Sequence, residues 1–343
     1  MTISKQIIAQ MPKIELHCHL DGSISLETIH KLAKMENIPL PATLEEQQAL
    51  FIAPEETKDL NEYLEKFHFI GRLLQTTAAL ELAAFDVVKQ ASYDNVKYIE
   101  VRFAPTLHTM KGLTLQEIVS AVVKGLKRGE VEFGVLSNAL LCGMRHEPVE
   151  NAIEVAKVAK SQLTHGVVGF DLAGNEVDFP PYAFEEAIKV AKDLDIPLTL
   201  HAGECHCGKN VYDAVVLGAN RIGHGIALKD TPEYIEYIKE NEIVLELAPT
   251  SNFQTKTVTS WEEYPFKKFL DLGLKVTINT DNRTVSNTTL NKEYAKLAEV
   301  YDLTLKDFYK VSCNGVFGAF VDDEVKKELG EIVNEEFEKL NGH

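Results

Sequence analysis

The sequence predicts an α/β fold, a (β/α)8 TIM barrel with a helical insertion after strand 1 and a C-terminal helical tail. Three observations lead to this prediction. Eight short apolar runs are spread along 343 residues, segments with helical periodicity separate them, and polar side chains follow several of the runs. Strands that alternate with helices are typical of parallel sheets, and a count of eight favours a closed barrel over a doubly wound sheet.

The predicted strands are apolar runs of the kind found where helices cover a parallel sheet on both faces. They are Ile14–Cys18, Val96–Phe103, Phe133–Leu141, Val167–Leu172, Ile196–Leu200, Arg221–Ile222, Ile243–Leu247 and Lys275–Asn279. The sixth run is short, so its assignment depends on its place in the alternation.

The segments between these runs repeat their apolar residues every 3.6 positions, which predicts amphipathic helices. These helices are Leu115–Lys127, Val149–Lys160, Tyr182–Leu194, Glu233–Glu240 and Pro265–Leu272. Thr114 with Glu117 three residues later predicts a capping box at the start of the first of them. Residues 321–340 are strongly acidic and predict a solvated helical tail without an assigned function.

The connection between the first two strands is far longer than the others, and its residues, about 26–90, are predicted to be mostly helical. An insertion at this point emerges at the C-terminal face of the barrel, where active sites lie, and is therefore a candidate lid. Four apolar residues of the insertion have the i, i+3, i+4 and i+7 spacing of one helix face: Leu60, Tyr63, Leu64 and Phe67. That face either packs on the barrel or lines a substrate pocket.

The composition excludes several classes of protein. Lys and Arg total 35 against 52 Asp and Glu, a formal net charge of −17, which disfavours nucleic acid and anionic membranes as partners. No apolar run is long enough to span a membrane, and Met1–Lys13 lacks a signal-peptide core. Five cysteines without regular spacing argue against a disulfide framework. We therefore expect a cytoplasmic protein, whose oligomeric state stays open. We also expect one domain over residues 1–343, because the candidate ligands described next come from the first, fifth and eighth strands and must converge on one site.

Histidines stand where predicted strands end, which is where barrel enzymes carry their chemistry. His17 and His19 end the first strand on the same side of it, and His201 follows the fifth. His224 follows the sixth strand and Asp281 the eighth. Imidazole and carboxylate groups that converge in this way suit a divalent metal. No lysine ends the third or fourth strand to bridge two metals, so we expect a single one, with His224 beside it.

Glu204 follows His201 by three residues, in a loop of small residues that lets its side chain turn inward. A metal with an open position lowers the pKa of bound water to about 7 and so supplies hydroxide near neutral pH. A carboxylic acid beside that hydroxide can donate a proton to the substrate. The competing interpretation of Glu204 is an ordinary surface acid.

Other polar residues give weaker signals. Cys205, His206 and Cys207 resemble a second metal clip, but their spacing is tighter than in most zinc sites, which favours ordinary loop residues. Arg145 and His146 follow the third strand and are candidates for a supporting role. The remaining histidines considered are interpreted as surface or interface residues: His30, His68, His108 and His165.

Seven motifs in the order of the chain resemble those of adenosine deaminases. They are residues 14–23 (IELHCHLDGS), Met144–His146, Gly169–Gly174, His201–Glu204, Arg221–Gly225, Pro249–Asn252 and Asn279–Asp281. The resemblance implies a zinc-dependent barrel hydrolase that converts adenosine and 2′-deoxyadenosine to inosine and 2′-deoxyinosine with release of ammonia. Such an enzyme binds a small neutral nucleoside. The glycine-rich loops show no Walker or dinucleotide fingerprint, so no nucleotide cofactor is expected.

The resemblance also implies a role for each matching residue. One Zn²⁺ per chain would be held by His17, His19, His201 and Asp281. Glu204 would protonate purine N1, and His224 would orient the hydroxide that attacks C6. Gly174 would donate its backbone N–H to purine N3, Asp21 would hold the ribose 5′-hydroxyl, and Asn282 would contact purine N7. The apolar face of the lid would be formed by Leu60, Tyr63, Leu64 and Phe67.

Alternative functions are open at this point. Adenine deaminases share the first motif but typically carry Glu where Asp21 stands, so Asp21 favours a nucleoside over the free base. A catalytically silent binding protein would be expected to lose a ligand or Glu204. Deaminases of polynucleotides carry H-x-E and P-C-x-x-C signatures, which are missing here.

Asn282 departs from the family pattern, because many members carry a second aspartate there. Purine N7 is an acceptor, so an aspartate must be protonated to donate to it, whereas the Asn282 amide donates without a pKa shift. We predict that Asn282→Asp retains activity and gains a pH dependence on the acid side of neutrality. Rate-against-pH profiles of Asn282→Asp and Asn282→Ala test this. An inactive Asn282→Asp beside a nearly unaffected Asn282→Ala would contradict the N7 contact.

Overall fold

The computed structural model describes residues 3–54 and 57–342, which contain eight parallel strands. In chain order these are β1 Lys13–His19, β2 Val96–Phe103, β3 Leu136–Met144, β4 Val167–Ala173, β5 Thr199–Ala202, β6 Arg221–His224, β7 Val244–Leu247 and β8 Lys275–Ile278. All eight predicted runs therefore form strands. The third strand begins later than predicted, because the preceding helix continues to Phe133 and ends at Gly134 in the left-handed conformation, φ +70°.

The strands form two four-stranded sheets, β1 to β4 and β5 to β8, that meet at both edges. A parallel bridge pairs Phe170 of β4 with Leu198 just before β5. A second bridge pairs Cys18 of β1 with Asp281 just after β8, where the Asp281 N–H donates to the His17 carbonyl at 3.0 Å. These contacts close the sheets into a barrel, as predicted, and place a candidate ligand from β1 beside one that follows β8.

Sixteen α-helices are present in the described residues, most of them on the outside of the barrel. They are α1 Lys5–Gln10, α2 Leu26–Glu36, α3 Leu44–Phe51, α4 Leu60–Leu64, α5 Phe67–Leu73, α6 Thr77–Tyr93, α7 Leu115–Phe133, α8 Val149–Gln162, α9 Glu185–Asp193, α10 Gly208–Leu217, α11 Ile235–Glu240, α12 Pro249–Gln254, α13 Phe266–Asp271, α14 Leu290–Tyr301, α15 Leu305–Gly318 and α16 Asp323–Asn341. The predicted capping box is present at the start of α7, and the other predicted helices lie within a few residues of their expected bounds.

The insertion after β1 contains α2 to α6, in agreement with the predicted helical segment. The apolar face expected on one continuous helix is divided between two, because α4 ends at Leu64 and α5 begins at Phe67. Leu60 and Tyr63 of α4 are nevertheless buried in the main hydrophobic core. The insertion is thus packed on the barrel, and the site described below shows which part of it also lines a cavity.

The C-terminal helix α16 is less solvated than the sequence suggested. Its acidic residues face outward, but Leu329, Val333 and Phe337, spaced four residues apart, are buried in the core. The Phe337 ring packs edge-on against Tyr309 of α15 at 5.5 Å between centroids. Among the described residues, no helix has the length and apolar character needed to cross a membrane.

Candidate metal centre and active site

A cavity of about 580 Å³ opens at the C-terminal ends of the strands, beneath α4 and α5. Its wall contains every substrate-contact residue predicted from the sequence: Asp21, Gly174, Asn282, Leu60, Tyr63, Leu64 and Phe67. The candidate catalytic residues Glu204 and His224 line it as well. The helical insertion therefore covers the cavity as well as packing on the barrel.

Four of the predicted polar side chains converge at the floor of this cavity. The Nε2 atom of His17 lies 3.2 Å from Oδ1 of Asp281, and Nε2 of His19 lies 3.3 Å from the same oxygen. The Nε2 atoms of His19 and His201 are 3.2 Å apart. His224 joins them, since its ligand atom lies within 4.8 Å of those of His17, His201 and Asp281.

The chemistry of this cluster fits a divalent cation. Nitrogens of four imidazoles and a carboxylate oxygen of Asp281 lie close together. Nε2 of His17 and Nε2 of His224 are buried without a hydrogen-bond partner among the described residues. Buried polar atoms are normally paired, so a bound ion would explain Nε2 of His17 by taking its lone pair, whereas Nε2 of His224 needs an acceptor in the cavity. Nitrogen and carboxylate ligands in such a set are typical of zinc.

Buried carboxylates hold the far sides of two imidazoles. Nδ1 of His17 lies 3.0 Å from Glu246, and Nδ1 of His201 lies 2.8 Å from Asp171. A carboxylate in this position fixes the ring orientation and leaves Nε2 free to act as a ligand. The guanidinium of Arg102 contacts both carboxylates, at 2.6 Å to Glu246 and 2.9 Å to Asp171. Burial alone would raise their pKa values, but the Arg102 charge helps to hold both below the usual range.

Glu204 is buried in the loop after β5, with only 6% of its surface exposed. Its carboxyl lies 3.6 Å from Nε2 of His224, and burial raises its pKa well above the usual range. The negative charges of Asp281 and Glu176 raise it further. A carboxyl in these surroundings keeps its proton near neutral pH and can donate it to a ligand.

His224 is held in one orientation by the residues behind it. Asn252 donates its side-chain N–H to Nδ1 of His224 at 3.0 Å, and Tyr264 donates its hydroxyl to the amide oxygen of Asn252 at 3.3 Å. The proton of the neutral ring is therefore on Nε2, which faces Glu204. Burial lowers the pKa of His224 well below its usual value, which keeps the ring neutral.

The backbone at two of these residues is unusual. His224 has φ +68° and Asp281 has φ +59°, in the left-handed region that non-glycine residues rarely adopt. Such conformations persist where the surrounding structure holds them, and they concentrate at functional sites. His224 is the last residue of β6 and Asp281 follows the end of β8 by three residues, and both side chains belong to the cluster.

The substrate-contact residues occupy neighbouring parts of the wall. Asp21 begins a short 3-10 helix after β1, and burial raises its pKa to about 6. Gly22 makes room for Asn282, because a Cβ atom on it would overlap the Asn282 amide. Gly174 follows β4 with φ +102°, a conformation suited to glycine. These residues are far apart in the sequence, and the fold brings them to the same cavity.

The segment after Asn282, residues 283–289, connects the lid to the barrel. Val285 accepts a hydrogen bond from the Ala53 N–H at 2.8 Å and donates its own N–H to the Gly22 carbonyl at 3.0 Å. The Tyr63 hydroxyl of α4 lies 2.7 Å from Oγ of Ser286 in a buried hydrogen bond. We call the Tyr63–Ser286 contact the lid hydrogen bond.

Several residues of the site were not predicted from the sequence. Glu246 and Arg102 lie in apolar strands, and a charged residue in such a strand was the signal that could have identified them. His108 was interpreted as a surface or interface residue but is buried and lines the cavity, and burial lowers its pKa to about 4. Arg145 has the supporting role considered for it, since it donates to the His201 carbonyl at 2.8 Å.

The loop after Glu204 does not form a second metal clip in the structure. His206 is exposed, and its Nε2 contacts the Lys256 carbonyl at 3.1 Å. In the part of the chain that the structure describes, the cluster at the cavity floor is the one group of ligand-type side chains close enough to share an ion. Cys205 and Cys207 are therefore ordinary loop residues here.

A parallel barrel with buried histidines and an aspartate at its C-terminal face defines a hydrolase of the metal-dependent amidohydrolase class. The family model described as adenosine deaminase matches residues 12–336. An adenosine deaminase from Enterococcus faecalis is 56% identical over 330 residues, which cover 96% of this chain and 98% of the relative. One from Lactococcus lactis is 48% identical, with 99% and 98% covered. The chain belongs to the adenosine deaminase family.

Solved structures of amidohydrolases share the fold over almost the whole chain. A zinc-bound amidohydrolase from Burkholderia ambifaria has a TM-score of 0.91 at 26% identity, and covers 100% of this chain and 95% of its own. An adenine deaminase from Arthrobacter aurescens has a TM-score of 0.87 at 26% identity, with 94% and 98% covered. An Arabidopsis ADAL protein solved with IMP has a TM-score of 0.87 at 28% identity, with 98% and 99% covered.

The lid hydrogen bond predicts a specific effect on substrate binding. Tyr63→Phe keeps the ring in the cavity wall but removes a buried hydrogen bond of net strength about 1 kcal/mol. We expect the KM for adenosine to rise about 2- to 10-fold, with a smaller change in kcat. Steady-state kinetics of Tyr63→Phe, Ser286→Ala and the double variant check this. Effects of the two single changes that add up in the double variant would contradict it, because one shared bond can be lost only once.

Proposed function

We propose that this protein catalyses the zinc-dependent hydrolytic deamination of adenosine and 2′-deoxyadenosine to inosine and 2′-deoxyinosine with release of ammonia. The observation that carries the proposal is the meeting, in one cavity, of a metal-ligand cluster with the buried carboxyl of Glu204. Glu204 lies beside His224, and His224 lies beside the cluster. The family assignment agrees with this chemistry.

One Zn²⁺ per chain would be held by His17, His19, His201 and Asp281, with His224 close to it. When bound, the ion supplies Lewis acidity that activates water near neutral pH. The chain itself fixes the orientation of two of the ligands, because Glu246 and Asp171 hold Nδ1 of His17 and His201. Pre-oriented ligands lower the reorganisation needed when the ion binds.

Glu204 would act on the purine ring, and His224 would act on the oxygen that attacks it. Glu204 donates its proton to purine N1, which makes C6 more electrophilic. His224, neutral and protonated on Nε2, donates a hydrogen bond to the attacking oxygen and stabilises the charge that develops at C6. The 3.6 Å distance between the two side chains lets both reach the same edge of a purine ring.

The remaining contacts would fix the nucleoside in the cavity. The backbone N–H of Gly174 meets purine N3, and the side-chain amide of Asn282 meets N7. Asp21 accepts a hydrogen bond from the ribose 5′-hydroxyl. The apolar residues Leu60, Tyr63, Leu64 and Phe67 of the insertion would cover the ligand and exclude water.

Deamination of the free base adenine is the second candidate, supported by the adenine deaminase among the structural neighbours. Asp21 favours the nucleoside, because adenine deaminases typically carry Glu at this position and because a carboxylate in the cavity wall can accept a ribose hydroxyl that adenine lacks. We further propose that residues 1–343 work as one domain in the cytoplasm, with a small neutral nucleoside as ligand and without nucleic-acid or membrane partners.

An ultraviolet assay of adenosine loss tests the proposed function. We expect turnover of adenosine by the zinc-loaded protein, loss of activity on chelation and recovery when Zn²⁺ is added back. Metal analysis should give one zinc per chain. Faster turnover of adenine than of adenosine would overturn the nucleoside assignment, and full activity without metal would overturn the metal assignment.

Replacement of the proton donor gives a second measurement. Glu204→Gln keeps the size of the side chain but cannot supply a proton, so kcat should fall about 10²- to 10⁴-fold. The zinc content should stay the same, because Glu204 is not among the proposed ligands. An undiminished kcat in Glu204→Gln would show that Glu204 is not the proton donor.

A further inference from the structure

We propose that Glu176 is a positioning residue that sets the place of Glu204 in the active site through the backbone of residues 203–205. The inference rests on the proposed function, in which Glu204 donates a proton to the substrate. Glu176 lies in the turn after β4 and is 2% exposed. It is neither a candidate metal ligand nor part of the cavity wall.

The Glu176 carboxylate accepts hydrogen bonds from three consecutive backbone N–H groups. Its Oε2 accepts from Gly203 at 2.9 Å, and its Oε1 accepts from Glu204 at 2.7 Å and from Cys205 at 2.8 Å. The side-chain N–H of Asn210 completes the set at 3.1 Å from Oε2. Each oxygen thus has two donors, and the successive N–H groups form a nest around an anion.

This nest stands where regular structure gives no support. β5 ends at Ala202 and α10 begins at Gly208, so the intervening residues lie outside the strands and α-helices, although the Gly203 carbonyl accepts a hydrogen bond from the Ala227 N–H at 3.0 Å. Within this stretch the backbone reverses twice, with φ +72° at Gly203 and φ +57° at His206. The Glu176 carboxylate therefore takes the place of the missing hydrogen-bond ladder.

The contacts centre on Glu204 itself. Its N–H donates to Glu176, and its carbonyl accepts from the Thr257 hydroxyl, so the peptide groups on both sides of its Cα are held. The side chain is then left to project into the cavity toward His224. Displacement of a catalytic group by about 1 Å can cost about 10²-fold in rate. An anchor on this backbone is accordingly an anchor on the proton donor.

Glu176→Gln is the informative substitution, because it preserves size but changes the donor and acceptor pattern. A glutamine offers one acceptor oxygen and one NH₂ group, so two of the four donors would face another donor. We expect the loop to shift and kcat to fall about 10²-fold, with the KM for adenosine within about threefold of wild type. Glu176→Asp keeps both oxygens on a shorter side chain and should recover part of the lost rate.

The measurement is steady-state kinetics with adenosine, expressed per bound zinc, together with zinc content and thermal unfolding. A selective fall in kcat per bound zinc supports the proposal. Loss of activity in proportion to lost zinc or lost folded protein would overturn it, since Glu176 would then be only structural. A rise in KM with unchanged kcat would overturn it as well.

A double-variant cycle tests whether Glu176 acts through Glu204. In the Glu204→Gln background the proton donor is already absent, so adding Glu176→Gln should lower kcat by no more than about twofold. Losses that multiply fully would overturn the proposal, because they would show an independent role. If Glu176→Gln does not fold, the same cycle with Glu176→Asp decides the question.

Asp86→Asn is the matched control for the loss of a buried carboxylate. Asp86 is buried and accepts the Ser25 N–H at 2.7 Å and the Thr28 hydroxyl at 2.9 Å, at the start of α2. We expect it to lower the unfolding temperature while kcat per bound zinc stays within about twofold. An equal fall in kcat for Asp86→Asn would overturn the specific role of Glu176.

An inactive zinc-loaded wild type would overturn the proposed function and this inference with it, whereas an active wild type with an unaffected Glu176→Gln would overturn the inference alone.

Discussion

The site depends on one buried guanidinium group. Arg102 projects from β2 into the barrel, where it contacts Glu246, Asp171 and the Leu16 carbonyl of β1. Its two carboxylate partners are the groups that orient His17 and His201. A single cation therefore ties the first, fourth and seventh strands to the two imidazoles. Loss of one member of such a buried network leaves charges unpaired, which is costly in a low-dielectric interior.

The network explains why a barrel of short strands can carry an ordered site. Arg221 of β6 extends it, with 2.6 Å to Glu246 and 2.5 Å to Glu100 of β2. Glu100 and Arg102 are two residues apart, so the period of a strand directs both into the barrel. The interior thus holds a chain of alternating charges that crosses the space between the two sheets. Ligands at different strand ends keep a fixed relation because the strands beneath them are linked in this way.

A feature of the structure can be predicted when its residues form a recognisable pattern in the sequence. Strands and outer helices leave a periodic apolar pattern, and histidines at strand ends are rare enough to stand out. Glu176 leaves no comparable signal, because it acts on backbone N–H groups whose positions exist only after folding. Asn252 belongs to one of the seven motifs, but its contact with a ring nitrogen of His224 is visible only in the structure. Buried charges in apolar strands, such as Glu246, do leave a signal, since a charge without a partner could not remain there. The division of the lid face into α4 and α5 could not be predicted from the apolar pattern, because that pattern continues unbroken across residues 60–67.

The charges of the interior also bear on what the cavity binds. Two guanidinium groups face four carboxylates across the network and the ligand cluster, those of Glu100, Asp171, Glu246 and Asp281. The formal charge over these six groups alone is −2, and a divalent cation held by the ligand cluster would offset it. A nucleoside without phosphate leaves that balance undisturbed. This charge balance supports the proposed combination of a divalent ion and an uncharged nucleoside.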